Sequence, residues 1–247
     1  MQLPEDKRKM VENITMDLSD CMRAIAREAF PQATVIRDCF HVVKRGGEGC
    51  EEIRLRLKRE AVKELNRQKA EFRKYLEGLA AQRKSYRKRM KERYGKKWKK
   101  SKRGRKPKRQ NTRFEPPRLA NAETLVEALT HCRKQLPMSR EKWSLAQEKR
   151  AKILFELYPK LEEAYNLVNS LRAVFRNKEL TKETAKEKLG GWYDKVSACS
   201  LREIKSVCDT IKFYEDEILK YFIERQTNAS AESLNFSCFV QIYKIIP

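Results

Sequence analysis

The sequence lacks the features that would place it in a membrane or in an oxidising compartment. No stretch of its 247 residues approaches the roughly 20 consecutive apolar residues that a membrane-spanning helix requires. The N-terminus is polar and charged, without the apolar centre of a secretion signal. The seven cysteines include no CxxC pair, so neither a zinc site nor a disulfide scaffold is indicated. We therefore expect a cytoplasmic protein with reduced thiols.

Acidic residues are scarce relative to basic ones. The chain has 57 Lys and Arg against 34 Asp and Glu, a net charge of +23, while 40% of its residues are apolar. A surface with this charge attracts polyanions, chiefly nucleic acid or an anionic membrane face. The apolar fraction is sufficient for a folded core, so a wholly disordered basic tail is not expected.

Strand and helix patterns alternate over the first 45 residues. VENITM (11–16) reads as a strand that ends at Asp17, residues 21–30 as a helix that Pro31 ends, and ATVIR (33–37) as a strand that ends at Asp38. The short connection indicates a parallel βαβ unit. We therefore expect both acids at the carboxyl edge of one sheet, where open α/β sheets place their chemistry.

Helical periodicity replaces the strand signal from about residue 48. Apolar residues recur every four positions or so between Ile53 and Leu79, which predicts one long helix whose apolar stripe could also support self-association. Further helices are predicted at 122–136, 142–158, 161–175, 182–197 and 201–224. The fold class is therefore α-rich α/β, with an α/β core over 1–45, an all-α insertion over 46–225 and a returning helix over 226–247.

A dense basic run lies inside this helical region. Residues 87–109 hold 15 Lys and Arg against a single acid, Glu92. Its like charges, with Gly104 and Pro107, predict a flexible loop near 83–118 that binds phosphates without sequence specificity, or else a merely solvated loop. The candidate nucleic-acid contacts are Arg87, Lys88, Arg89, Lys96, Lys97, Trp98, Lys99, Lys100, Lys102, Arg103, Arg105, Lys106, Lys108 and Arg109.

Four residues are candidates for chemistry, and each also has an ordinary structural interpretation. Asp17 can be a turn former or helix cap, and Asp38 and His41 can share a hydrogen bond in which the carboxylate orients the imidazole. Glu232 can be an acid favoured by the dipole in the first turn of a helix.

The order of these motifs resembles that of a known family. The residues concerned are TMDLSDCMRAIAREAFPQATVIRDCFHVVK (15–44), Trp192, and YFIERQTNASAESLN (221–235). They resemble the catalytic domain of bacterial insertion-sequence transposases of the ISL-three group, members of the DDE superfamily. The resemblance implies a partial RNase H-like core interrupted by a helical insertion.

The resemblance also implies a reaction. Asp17 would correspond to the second acid of the DDE triad, Glu232 to the third, and Asp38 with His41 to the DxxH signature. Asp17 and Glu232 would bind Mg²⁺ or Mn²⁺ for phosphodiester cleavage and strand transfer, since two hard cations activate the nucleophile and stabilise the leaving oxygen. Transposon-end and target DNA would be the partners, at the nucleoid, with a homo-oligomer as a further expectation.

Two departures from the family pattern affect these expectations. The only aspartate before Asp17 is Asp6, in a charged segment, so the first triad acid has no counterpart. After Asn235 the chain continues as FSCFVQIYKIIP, where the family has a basic stretch. We therefore expect a chain truncated at its N-terminus and altered at its C-terminus. The alternatives are an inactive transposase remnant or a non-enzymatic basic helical nucleic-acid-binding protein.

Overall fold

The computed structural model describes residues 4–95, 112–225, 227 and 241–243. The described chain divides into two compact units. One comprises the residues up to Leu55 together with those from His131 onward, and the other comprises Arg56–Thr130.

The sheet of the first unit is formed by strands β1 (Asn13–Met16), β2 (Thr34–Arg37) and β3 (Gln241–Tyr243) in the order β2-β1-β3. Strand β1 pairs in parallel with β2 and antiparallel with β3. All four residues of β1 are buried, as expected for a central strand covered on both faces. The α-rich α/β class and the parallel strand pair are thus confirmed.

Helix α2 (Asp20–Ala29) makes the crossover between the two parallel strands. The Ser19 side chain caps it by accepting a hydrogen bond from the Met22 amide, and the helix ends at Phe30, before Pro31. Its apolar face packs on the sheet in one small core that contains Ile14, Val35 and Ala26. This core holds α2 against the two parallel strands.

The remaining helices are α1 (Glu5–Lys9), α3 (Cys39–Tyr94), α4 (Leu125–His131), α5 (Leu145–Leu157), α6 (Pro159–Arg176), α7 (Lys182–Ala198), α8 (Arg202–Phe213), α9 (Glu215–Leu219) and α10 (Tyr221–Glu224). Capping boxes at Ser144 and Thr181 begin α5 and α7, and Pro159 occupies the first turn of α6. None of the helices in the described part of the chain is long and apolar enough to cross a membrane.

Three local expectations are corrected. A flexible loop was expected near 83–118, yet α3 remains helical to Tyr94, and residues 96–111 lie outside the described part of the chain. The single helix expected over 201–224 is divided into α8, α9 and α10 by turns at Tyr214 and Lys220. A returning helix was expected over 226–247, yet residues 241–243, which include the β-formers Ile242 and Tyr243, form a strand paired with β1.

None of the described cysteines forms a disulfide. Cys50, Cys132, Cys199 and Cys208 are buried and pack as small apolar side chains. Trp192 is also a core residue, and its indole N–H donates to the Leu167 carbonyl at 2.8 Å.

Gly49 marks a close approach of α3 to α8, and this contact generates a prediction. A Cβ atom at Gly49 would lie 2.9 Å from Val207 Cγ2, whereas one at Gly47 would meet nothing within 4 Å. Gly49→Ala should lower the free energy of unfolding by about 1–3 kcal/mol through overpacking. Gly47→Ala should raise it by about 0.5–1 kcal/mol through helix propensity. Urea unfolding of both variants measures the difference, and equal stabilities would contradict the packing.

Candidate functional site

Two acids extend from the carboxyl ends of the parallel strands. The register pairs Met16 with Arg37, so Asp17 and Asp38 directly follow the last paired positions of β1 and β2. The Asp38 amide donates to the Met16 carbonyl at 2.8 Å, which continues the ladder by one step. The parallel register therefore places these two residues at the same edge of the sheet, as the sequence pattern predicted.

Asp38 is buried and forms a pair with His41 on the first turn of α3. Its side chain accepts a hydrogen bond from the Phe40 amide through Oδ1, at 3.2 Å. Its Oδ2 lies 3.3 Å from His41 Nδ1. Phe40, which is exposed, packs edge-on against the imidazole with ring centroids 5.4 Å apart. Asp38 thus fixes the orientation of a half-buried imidazole, which is the contact that the spacing predicted.

Asp17 is only partly buried, and its carboxylate retains capacity to bind a cation. Oδ1 accepts one hydrogen bond, from the Ser19 amide at 3.1 Å. A carboxylate oxygen at this position is a hard ligand of the kind that Mg²⁺ prefers. Among the residues that the structure describes, no group of three or more His, Cys, Asp and Glu is arranged to hold a metal. Asp17 is therefore chemically suited to a divalent cation.

A buried ion pair supports the loop that carries Asp17. Arg37 has a fully buried side chain, and its Nε donates to Glu217 Oε2 at 2.8 Å. The same guanidinium donates through Nη1 to the carbonyl oxygens of Asp17 and Ser19. One side chain on β2 therefore binds both the turn after β1 and an acid on α9.

Glu217 also forms ion pairs with two arginines of α2. Its Oε1 accepts from Arg23 Nε at 2.7 Å and from Arg27 Nη2 at 3.3 Å. Glu217 itself is only 5% exposed, so its charge is stable in this position only because it is paired. The carboxylate thereby joins α9, α2 and β2.

Tyr214 contacts both the Arg37 guanidinium and the first turn of α2. The Arg37 guanidinium lies 4.1 Å from the centre of its ring, and its hydroxyl donates to Asp20 Oδ1 at 2.6 Å. Burial and the hydrogen bond to Asp20 raise the pKa of Tyr214, which keeps the hydroxyl protonated as a donor. The first turn of α2 is therefore tied to the end of α8.

Helix α10 contacts the site next to Asp38. The side chains of Tyr221 and Cys39 are hydrogen-bonded, and burial raises the pKa of Tyr221 to about 12. Burial also raises the pKa of the Cys39 thiol, which therefore remains neutral. These groups pack the start of α3 and do not offer a nucleophile.

The other predicted site residues fall into two groups. Arg87, Lys88 and Arg89 lie on the distal part of α3, within the unit Arg56–Thr130. The following lie outside the described residues: Glu232, Lys96, Lys97, Trp98, Lys99, Lys100, Lys102, Arg103, Arg105, Lys106, Lys108 and Arg109.

Sequence reasoning did not identify Arg37, Glu217 or Tyr214. Arg37 was treated as the end of a strand, and Glu217 as part of one amphipathic helix. A cation at the end of an apolar strand, immediately before Asp38, was the available signal, because a charge there requires a buried partner. The identity of that partner, 180 residues away, could not be obtained from the pattern.

Comparison with known proteins gives one informative result. The family model of the DDE transposases of the ISL-three group, described as "Transposase", matches residues 1–238. The match includes both strand-end acids and the segment that contains Glu232. No curated protein and no solved structure was found to match the chain.

The buried ion pair generates a prediction about stability. Glu217→Gln leaves the Arg37 guanidinium buried without a countercharge, so the free energy of unfolding should fall by about 3–5 kcal/mol. Glu48→Gln, which breaks the more exposed pair of Glu48 with Arg45, should cost less than about 1 kcal/mol. Urea unfolding followed by circular dichroism compares the two variants. Equal losses would show that the network does not hold this part of the fold.

Proposed function

Because the chain belongs to the DDE transposases of the ISL-three group, we propose that it acts in DNA transposition as a DNA-binding catalytic-domain portion. Its βαβ unit is proposed to be part of an RNase H-like core. The observation that carries the proposal is the placement of Asp17 and Asp38 directly after two neighbouring parallel strands. An acid at this edge of a sheet lies where a phosphodiester can reach it.

The residues of the site are assigned separate roles in this proposal. Asp17, together with Glu232, is proposed to hold a divalent cation, either Mg²⁺ or Mn²⁺. When bound, the cation would activate an attacking oxygen and stabilise the leaving oxygen of the phosphodiester. Cleavage and strand transfer are proposed for a form in which the first triad acid is also supplied.

Asp38 and His41 are proposed to support the site without binding the metal. Both Asp38 oxygens already have partners, the Phe40 amide and His41 Nδ1. The imidazole that Asp38 orients is proposed to accept or donate a proton beside the strand ends. A proton carried by this imidazole would suit an oxygen of the DNA backbone beside Asp17.

DNA binding is proposed to involve the distal part of α3 and the basic residues that follow it. Between Arg83 and Tyr94 the helix carries seven Lys and Arg against one acid, Glu92. The exposed Tyr86 and Tyr94 offer aromatic surface next to these cations. A helix with this charge binds phosphates through counterion release, largely without sequence specificity. The same surface supports the alternative function, a non-enzymatic nucleic-acid-binding protein.

The charge of this helix can be tested directly. Replacing Arg87, Lys88, Arg89 and Lys91 together by Gln should weaken binding to a DNA duplex by about tenfold or more at moderate salt, because phosphate contacts dominate affinity. A matched control replaces the exposed α7 residues Lys182, Lys186, Lys188 and Lys195 by Gln, which removes the same charge elsewhere. Fluorescence anisotropy measures both. If the two variants bind equally, only net charge matters and the assignment to α3 is wrong.

The role of Asp17 can be tested without requiring catalysis. Asp17→Asn removes a charged oxygen ligand, so Mn²⁺ binding followed by electron paramagnetic resonance should weaken by about tenfold or more. Asp194→Asn, an exposed acid on α7, should leave Mn²⁺ binding unchanged. DNA binding should be the same in both variants.

The enzymatic and non-enzymatic functions are separated by a second measurement. Nicking of transposon-end DNA by a chain extended upstream should require Mg²⁺ and should be lost in Asp17→Asn and in Glu232→Gln. Full nicking activity in both variants would rule out the triad assignment. Absence of Mg²⁺-dependent nicking in the extended chain, with salt-dependent DNA binding that neither substitution changes, would favour the non-enzymatic binding protein.

A further inference from the structure

A cleft lies between residues 139–141 and the last two turns of α6. Its volume is about 510 Å³, and its lining side chains include three arginines, one glutamate and three uncharged polar residues. They are Ser139, Arg140, Glu141, Asn169, Arg172, Ala173, Arg176 and Asn177. The cleft lies within the first unit and shares no residue with the strand-end site or with the basic part of α3.

The walls of the cleft are held by hydrogen bonds to the backbone. The Tyr165 hydroxyl donates to the Met138 carbonyl at 2.8 Å. Arg172 Nη2 donates to the Pro137 carbonyl at 2.9 Å. Both donors belong to α6, so the segment that forms the opposite wall is fixed to the helix. The cleft therefore exists before any ligand binds.

Arg172 supplies a positive charge that the described chain does not neutralise. Its guanidinium is half-buried and donates to two uncharged acceptors, the side-chain oxygen of Asn169 and the carbonyl of Pro137. In the part of the chain that the structure describes, no carboxylate forms an ion pair with it. Burial and, to a smaller degree, the neighbouring charge of Arg176 lower the pKa of Arg172. A half-buried guanidinium that has only uncharged partners favours the binding of an external anion.

The other two arginines of the cleft are paired only at its exposed rim. Arg176 lies 3.8 Å from Glu141, whose side chain is 81% exposed. Arg140 is bound to Glu162 at 2.9 Å, and both side chains are about half exposed. Such surface pairs contribute little free energy, so an incoming phosphate can compete with these carboxylates for the guanidinium groups.

The uncharged side chains of the cleft add donors. Ser139 is only 7% exposed, and its buried Oγ has no hydrogen-bond partner among the described residues. Asn177 Oδ1 accepts the Glu179 amide, which leaves the amide nitrogen of its side chain as a donor. Donors therefore outnumber acceptors, as in a site for an oxyanion.

The end of α6 does not supply the missing negative charge. A helix C-terminus carries about half a negative charge, which favours cations in the last turn. The guanidinium groups of Arg172 and Arg176 together exceed that charge. In addition, Arg225 already binds the carbonyls of Asn177 and Leu180 beyond the helix. The cleft therefore remains cationic.

We propose that this cleft binds a phosphate group, and that the group belongs to the backbone of DNA held by the chain. The proposal rests on the proposed function for its ligand source, since DNA supplies phosphates in a row. It adds a second contact region whose residues are distinct from those of the basic part of α3.

The test compares the salt dependence of DNA binding in two double variants of the full chain. Arg172→Gln with Arg176→Gln should reduce the slope of log affinity against log salt by about 1–2, since each lost phosphate contact contributes about 0.9. Arg202→Gln with Lys205→Gln removes the same charge from exposed positions on α8 and should leave the slope unchanged. If both variants match the unaltered chain, the cleft does not contact DNA.

Two further measurements keep the result unambiguous. Arg176→Gln alone removes a half-exposed side chain that the fold does not require, and it should reduce the slope by about 1. Calorimetric titration with inorganic phosphate distinguishes the ligand source. Saturable phosphate binding that the double variant loses, with unchanged DNA slopes, would overturn the assignment to DNA and assign the site to a free phosphate. Absence of both effects would overturn the phosphate site itself.

The outcome is also separable from that of the proposed function. If the unaltered chain fails to bind DNA, the proposed function fails, while the inorganic phosphate titration still decides whether the cleft is an anion site. If the chain binds DNA and only the α3 variant loses affinity, the proposed function stands and the cleft proposal is overturned.

Discussion

The arrangement of the strand-end site depends on the buried ion pair between Arg37 and Glu217. Removing a guanidinium from water is costly, and the cost is offset only where charge and hydrogen bonds are both provided. Here Glu217 provides the charge, and the carbonyl oxygens of Asp17 and Ser19 accept further hydrogen bonds. The same interactions that make the cation tolerable therefore fix the turn that carries Asp17. Stability and site geometry cannot be changed independently at this position.

This constraint also explains how short helices far along the chain contribute to the site. Helix α9 has only five residues, too few to be stable alone, yet it supplies Glu217. Tyr214, immediately before α9, packs on Arg37 and binds Asp20. The break between α8 and α9 thus turns the chain so that an aromatic ring and a carboxylate reach β2 together. One continuous helix would present them along a straight axis.

The sequence predicted the local elements well and the long-range contacts poorly. Alternation of strand and helix patterns gave β1, α2 and β2, and the DxxH spacing gave the contact between Asp38 and His41. These features depend on periods and on neighbours within one turn. The pairing of Arg37 with Glu217 depends instead on tertiary packing between segments distant in sequence. The dense like charges after residue 83 predict a loop, whereas α3 continues to Tyr94 because Lys, Arg and Glu are good helix formers.

The basic part of α3 is helical although its charges repel one another. Between Arg83 and Arg93, like charges recur four residues apart, as in Arg83 with Arg87 and Arg87 with Lys91, and such pairs destabilise a helix. One opposing pair, Lys88 with Glu92 at 3.9 Å, offsets little of this repulsion. The helix nevertheless presents its cations on a regular frame, which lowers the ordering cost of binding compared with a loop. Under the proposed function, DNA phosphates would neutralise the repulsion, so binding and helix stability would reinforce each other along α3.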